Sequence, residues 1–141
     1  MVEPKSEENE ISRARLAELL NEDLSREYQA IIAYVVYSQV LKGAEYMDIA
    51  AQLEIHAKQE LDHALILSRQ IDYLGKMPAI TPKPVRTSKK ARDMLRYDLD
   101  NENETIRIIA SVSRNARPSQ NMQWRNRFAR FWCRSRTTRL I

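Results

Sequence analysis

A chain of 141 residues, 43% hydrophobic and 30% charged with only two glycines, is long enough for one domain with a buried core and points to an all-α fold. No apolar run approaches the ~18–20 residues that cross a bilayer, and the polar, acidic start MVEPKSEENE is neither a signal peptide nor a transit peptide. The net charge of +4 raises nucleic acid as a partner, and a single cysteine, Cys133, excludes an internal disulfide and fits a reducing compartment, the cytoplasm.

Residues 1–11 read as a flexible N-terminus. Residues 12–42 form the first predicted helix, because Leu16, Leu20, Leu24, Ile31, Tyr34 and Leu41 recur at three- and four-residue steps. Gly43 stops it. The second predicted helix runs over 46–74 and ends before Gly75, so both glycines fall where helix C-terminal caps favour them. Two long helices joined by so short a link should pack as an antiparallel hairpin. Pro78, Pro82 and Pro84 exclude a regular helix from the next stretch, which is long enough for a crossover. A third helix begins near Ser88, a candidate cap, and carries Met94, Leu95, Leu99 and Ile106 on one face as far as about Arg107.

Carboxylates interrupt these apolar stripes. Glu27 follows Leu20 and Leu24 and precedes Ile31; Glu102 follows Leu95 and Leu99 and precedes Ile106. The spacing Leu-x3-Leu-x2-Glu-x3-Ile therefore occurs twice. On the second helix Glu60 and His63 share a face with Leu53, Ala57, Ala64 and Leu67, within the stretch IHAKQELDHA. His56 lies one turn before Glu60 and reads as a hydrogen-bonded neighbour of that face. Glu104, beside Asp100 and Asn101, belongs to a solvated face, and Glu22 and Glu54 are weaker ligand candidates. Any one of these carboxylates reads as an ordinary helix residue whose stem reaches water. Three on three helices, with a histidine, match the way helix bundles hold metal ions between a Glu from each of two helices and Glu-x-x-His pairs from the other two. Oxygen and imidazole donors suit iron or manganese.

At these residues the sequence resembles the ferritin-like di-iron superfamily, and bacterioferritin most closely. LNEDLSREYQAIIAY resembles the family's first helix, with Glu27 at a terminal iron ligand and Tyr34 at the tyrosine seven residues on. QELDHA resembles the second-helix motif, which implies that Glu60 bridges two irons and His63 binds one. MLRYDLDNENE resembles the third helix, which implies Glu102 as terminal ligand of the second iron. The resemblance covers about residues 12–107. It implies a ferritin-like antiparallel four-helix bundle with a long crossover between helices two and three. It also implies Fe(II) oxidation by oxygen or peroxide, iron storage or detoxification, and a homo-oligomeric shell. Bacterioferritin's haem-ligating methionine is replaced by Leu61, so no haem is implied, and no catalytic residue beyond the metal ligands.

The C-terminal segment departs from all of this. Residues 108–141 contain eight arginines and no Lys, Asp, Glu or His, together with both Trp, both Phe and Cys133. The preceding 107 residues carry 15 basic against 19 acidic residues, a net of −4. The basic balance thus belongs to the tail alone, and the tail lacks the second Glu-x-x-His of a di-iron bundle. Reverse translation one base upstream gives forced identities: Met122–Gln123 yields Ala, Phe131–Trp132 yields Leu, and Trp132–Cys133 yields Val. With permitted codons elsewhere the frame reads AEYAMAEQIREILVQEQDHQTD from codon 119, and its QEQDH parallels the visible QELDH. The tail therefore reads as frame-shifted by a net one-base loss near codon 107, the fourth helix being altered or lost. The chain as it stands should bind one divalent ion weakly and oxidise iron poorly. The alternative is a nucleic-acid-binding arm, with arginines on phosphates and Trp124, Phe128, Phe131 and Trp132 stacking on bases, as in the mini-ferritins that bind DNA through basic extensions. A metal-free helical scaffold is the third reading.

Overall fold

The computed structural model describes residues 12–115. The expected flexible N-terminus and most of the arginine-rich tail, including any fourth helix, lie outside the described residues. Within them the chain forms three long helices: α1 (Arg13–Val40), α2 (Met47–Tyr73) and α3 (Ala91–Asn115), with a short 3-10 turn at Ala44–Tyr46. Ile11–Glu104 makes up one compact unit, and α3 from Thr105 onward belongs to a second. No helix among the described residues is long and apolar enough to cross a membrane.

The helix ends follow from local chemistry. Ser12 caps α1, its hydroxyl accepting from the Arg15 amide at 3.1 Å. The end of α2 is a Schellman motif: Gly75 N–H donates to Asp72 C=O at 2.8 Å and Lys76 N–H to Ile71 C=O at 3.1 Å. That motif needs a left-handed residue, and Gly75 adopts φ 78°. Gly43 does something other than the expected C-cap. The α1 cap is Leu41, whose amide bonds Tyr37 C=O, and Gly43 at φ 112° precedes the 3-10 turn instead. A Cβ there would lie 2.7 Å from the Glu45 carboxylate. At α3 the helix starts at Ala91, three residues after the expected Ser88. The Ser88 hydroxyl accepts from the Lys90 amide at 3.0 Å and donates to Asp93 at 2.9 Å, so it organises the turn leading into the helix. α3 also continues beyond Arg107, to Asn115.

α1 and α2 pack as the expected antiparallel hairpin. Two apolar layers lie along it. Near the Gly43 end, Ala33, Tyr34, Tyr37, Leu41, Leu53 and Ala57 form a buried cluster that Met94 of α3 completes. Toward the Gly75 end, Ala17, Leu20, Leu24, Ala64, Leu67 and Ile71 are buried. Leu16 and Ile31, expected on the α1 stripe, are half-buried. On α3 the expected stripe closes only at Met94, while Leu99 is 59% exposed and Ile106 54% exposed.

The proline-rich connection runs extended along α1 and carries the chain from one end of the hairpin to the other. Asn21 grips it twice: its side-chain NH2 donates to Met77 C=O at 3.1 Å and its oxygen accepts from the Ala79 amide at 2.7 Å. One turn later Lys83 N–H donates to Ser25 C=O at 3.0 Å, and the next turn gives Gln29 to Pro84 C=O at 2.6 Å. The Tyr37 hydroxyl donates to Arg86 C=O. Residues 21, 25 and 29 stand one turn apart, so one side of α1 fastens the connection step by step. The consequence is that α3 starts beside the Gly43-end cluster and runs antiparallel to α1.

Candidate metal centre

Between the two apolar layers sit the polar residues. Glu27 on α1 and Glu60 on α2 are buried, 4% and 2% exposed, and His63, one turn after Glu60, is half-buried. Each carboxylate occupies a core position because its helix register demands it: Leu20 and Leu24 stand seven and three residues before Glu27, Leu53 and Ala57 at the same steps before Glu60, and all four are buried. His63 Nδ1 lies 2.7 Å from Glu60 Oε2 and 3.7 Å from Glu27 Oε2. The three donor atoms fall within 4.8 Å of one another.

That geometry suits one ion. Donors about 2.0–2.2 Å from a first-row metal stand at most about 4.4 Å apart, so small side-chain rotations bring all three into range. Charge favours the same occupant. Two buried carboxylates facing each other are costly until a cation balances them, and hard oxygen donors with one imidazole match iron or manganese.

Glu102 stands outside this group of three. It is half-buried on α3 and accepts a hydrogen bond from the Tyr34 hydroxyl at 3.1 Å. The same hydroxyl reaches Asp98, one turn earlier on α3. Burial pushes the Asp98 carboxyl up from 3.8 to about 6; the Tyr34 hydrogen bond opposes that rise and the Glu102 charge adds to it. The Tyr34 hydroxyl thus serves as donor to either carboxylate of α3, Glu102 or Asp98, and ties that pair to α1. Asp98 was not singled out by the sequence reading. Its place four residues before Glu102, on the same helix face, was the available signal.

The other sequence candidates fall elsewhere. His56 is half-buried and packs its ring edge-to-face on Tyr34, with centroids 5.8 Å apart. Glu22 is exposed and pairs with Arg26 at 3.7 Å; Glu54 is exposed and accepts from Gln39 at 3.1 Å; Glu104 is exposed. Asp23, one turn before Glu27, pairs with Arg26 at 2.8 Å. Burial raises its carboxyl against the pull of that arginine. The arginines and aromatic residues of the alternative nucleic-acid arm, from Arg117 on, lie outside the described residues.

Comparison with known proteins agrees with this arrangement. The family model of the ferritin-like domain matches residues 17–129, a span that enters the arginine-rich segment. A bacterial ferritin of Synechocystis sp. (strain ATCC 27184 / PCC 6803 / Kazusa) is 26% identical over 114 residues, covering 80% of this chain and 70% of that protein. A crystal structure of a ferritin-like, diiron-carboxylate protein from Bacillus anthracis str. Ames is similar with a TM-score of 0.64 and 36% identity, over 67% of this chain and 68% of that one.

Proposed function

The chain belongs to the ferritin-like domain family, and from that premise we propose that it takes up Fe(II) as substrate at Glu27, Glu60 and His63. The observation that carries the reading is the convergence of those three donors within 4.8 Å at the hairpin's centre. The work is iron oxidation by oxygen or peroxide, each Fe(II) giving up one electron to the oxidant, with Fe(III) passed on for storage or detoxification. It takes place in the cytoplasm and, in an intact bundle, inside a shell of identical subunits.

Each residue has a role that its position supports. Glu27 and Glu60 supply the negative charge that makes a dication welcome between apolar layers. His63 supplies the neutral nitrogen donor, and its 2.7 Å contact with Glu60 Oε2 keeps the ring turned toward both carboxylates. Glu102, steadied by Tyr34, is the remaining carboxylate for a second ion. In this chain that second ion has no further Glu-x-x-His to hold it, since residues 108–141 contain neither Glu nor His. The chain therefore holds one ion and oxidises iron slowly. Haem has no role in this reading.

Titration of the full chain with Fe(II) without oxygen, followed by oxygen exposure, tests it. One ion per chain is expected, and Glu60→Gln should weaken binding by at least the about 10–100-fold that loss of a ligand's outer partner costs in metal sites. Glu104→Gln, on the exposed face, should change nothing. Unaltered binding in Glu60→Gln would overturn the site, and two ions per chain with fast oxidation would overturn the single-ion reading.

A further inference from the structure

We infer that the exposed cations of residues 83–96, at the end of the proline-rich connection and the start of α3, form a surface that binds the phosphate backbone of a nucleic-acid duplex. The surface is distinct from the metal centre and from the arginine-rich tail. Charge is segregated within the first 107 residues. Residues 83–96 hold six basic side chains, Lys83, Arg86, Lys89, Lys90, Arg92 and Arg96, against one acid, Asp93. The rest of residues 1–107 carries nine basic against 18 acidic residues.

All six cations are exposed. Arg86 is engaged, 4.5 Å over the Tyr97 ring and 3.6 Å from Asp100. Among the described residues no carboxylate stands within ion-pair distance of the other five. Asp93, the one acid in the stretch, is half-buried and accepts from the Ser88 hydroxyl at 2.9 Å. The backbone beneath the cations is held in place: Lys83 N–H donates to Ser25 C=O, Gln29 to Pro84 C=O, Tyr37 to Arg86 C=O, and Lys90 N–H to the Ser88 hydroxyl. Arg92 and Arg96 stand one turn apart on α3. Lys89, Lys90 and Arg92 thus gather at the N-terminal end of a 25-residue helix, where the helix dipole is positive and cations are disfavoured. A bound anion offsets both their mutual repulsion and the dipole. The surrounding side chains select the kind of anion. Tyr97, the aromatic residue beside the cations, is half-buried under Arg86 and offers no platform for unstacked bases. No large apolar side chain of residues 83–96 is exposed, so nothing there inserts into lipid or forms the apolar centre of a protein interface. An array of charges on a fixed backbone matches duplex phosphates and does not read bases.

Fluorescence anisotropy of the full chain on a mixed-sequence DNA duplex tests the surface. Two fourfold variants are compared. One changes Lys83, Lys89, Arg92 and Arg96 to Gln; the other changes Arg13, Lys42, Lys58 and Arg69, exposed outside the stretch, to Gln. Net charge and the arginine-rich tail are the same in both, so only the position of the lost cations differs. The first variant should lose at least about tenfold in affinity at about 0.1 M salt, and its slope of log affinity against log salt should become shallower by about 3–4 units, four phosphate contacts at about 0.9 each. The second should change that slope by less than about 1 unit. If circular dichroism shows lost helix in the first variant, Lys89→Gln with Lys90→Gln, both outside α3, repeats the comparison against Lys58→Gln with Arg69→Gln, with an expected change of about 2 units. Equal losses in the compared variants would overturn the surface, because net charge and the tail would then account for the binding. A larger loss by the first variant on single-stranded DNA, or on phosphatidylserine vesicles, than on the duplex would overturn the choice of partner.

Discussion

Replacing Asp98 with asparagine removes a charge that the fold holds at a cost. In the folded chain burial raises this carboxyl to about 6 from 3.8. A displacement of that size corresponds to about 3 kcal/mol at most. The sign follows from which state binds the proton more tightly. The folded carboxyl keeps its proton to higher pH than the unfolded one, so the stability linked to it is fully present below 3.8 and is lost as pH rises through about 6. Asparagine is neutral throughout and still offers Tyr34 a hydrogen-bonding group. Metal-free Asp98→Asn should therefore match the parent chain at pH 3.5 and exceed it by about 2–3 kcal/mol at pH 7.5. The gap should open between about pH 4 and 6. Urea unfolding of both proteins at a series of pH values measures it. A gap that stays constant with pH, or an asparagine variant weaker at pH 7.5, would refute the assignment of the cost to Asp98 ionisation.

Two further outcomes test the packing and the connection. Leu24, fully buried one turn before Glu27, should cost about 2–5 kcal/mol when cut to alanine; a loss below 1 kcal/mol in urea unfolding would show that the layer beside the centre collapses around the gap. Asn21→Ala removes both grips on Met77 and Ala79, for about 1–2 kcal/mol, and should speed amide exchange at Ala79 and Lys83. Unchanged exchange there would mean that Gln29, Tyr37 and the Ser25 carbonyl hold the connection alone.

The helices were legible because their causes are local. The apolar period with Gly43 and Gly75 placed α1 and α2 to within two residues at each end, and the three helices with a long crossover are the ferritin-like arrangement. Glu27, Glu60 and His63 stood out for a related reason: a charge on an apolar stripe breaks a pattern, and broken patterns are visible in sequence. The start of α3 was misplaced because Ser88 bonds Lys90 and Asp93 in a turn before the helix, and a serine's choice between cap and turn depends on backbone angles. The fastening of the connection to α1 was not legible at all. Asn21 and Gln29 bond backbone atoms of Met77, Ala79 and Pro84, and backbone groups are the same at every residue, so no spacing announces them. Asp98 escaped notice because its perturbation comes from burial against Tyr34 and Glu102, a property of the packed helices.

The position of Glu27, Glu60 and His63 along the hairpin shows which packing these three donors depend on. Its carboxylates lie between two apolar layers, and each layer is supplied within Ile11–Glu104: Leu20, Leu24, Leu67 and Ile71 on one side, Tyr37, Leu53 and Met94 on the other. Burial of such side chains contributes about 1.5–3 kcal/mol each, whereas Glu27 and Glu60 cost energy where they stand until a cation joins them. The apolar layers thus drive the packing of the hairpin, and the ligands depend on that packing. Glu27, Glu60 and His63 stand on α1 and α2, within Ile11–Glu104, with their ligand atoms inside 4.8 Å of one another, so under the function proposed above a change confined to the segment beyond residue 107 would take away donors for a second ion and leave these three in place. One-ion binding and lost two-ion chemistry are therefore the expected pair of phenotypes, and neither requires the hairpin to unfold.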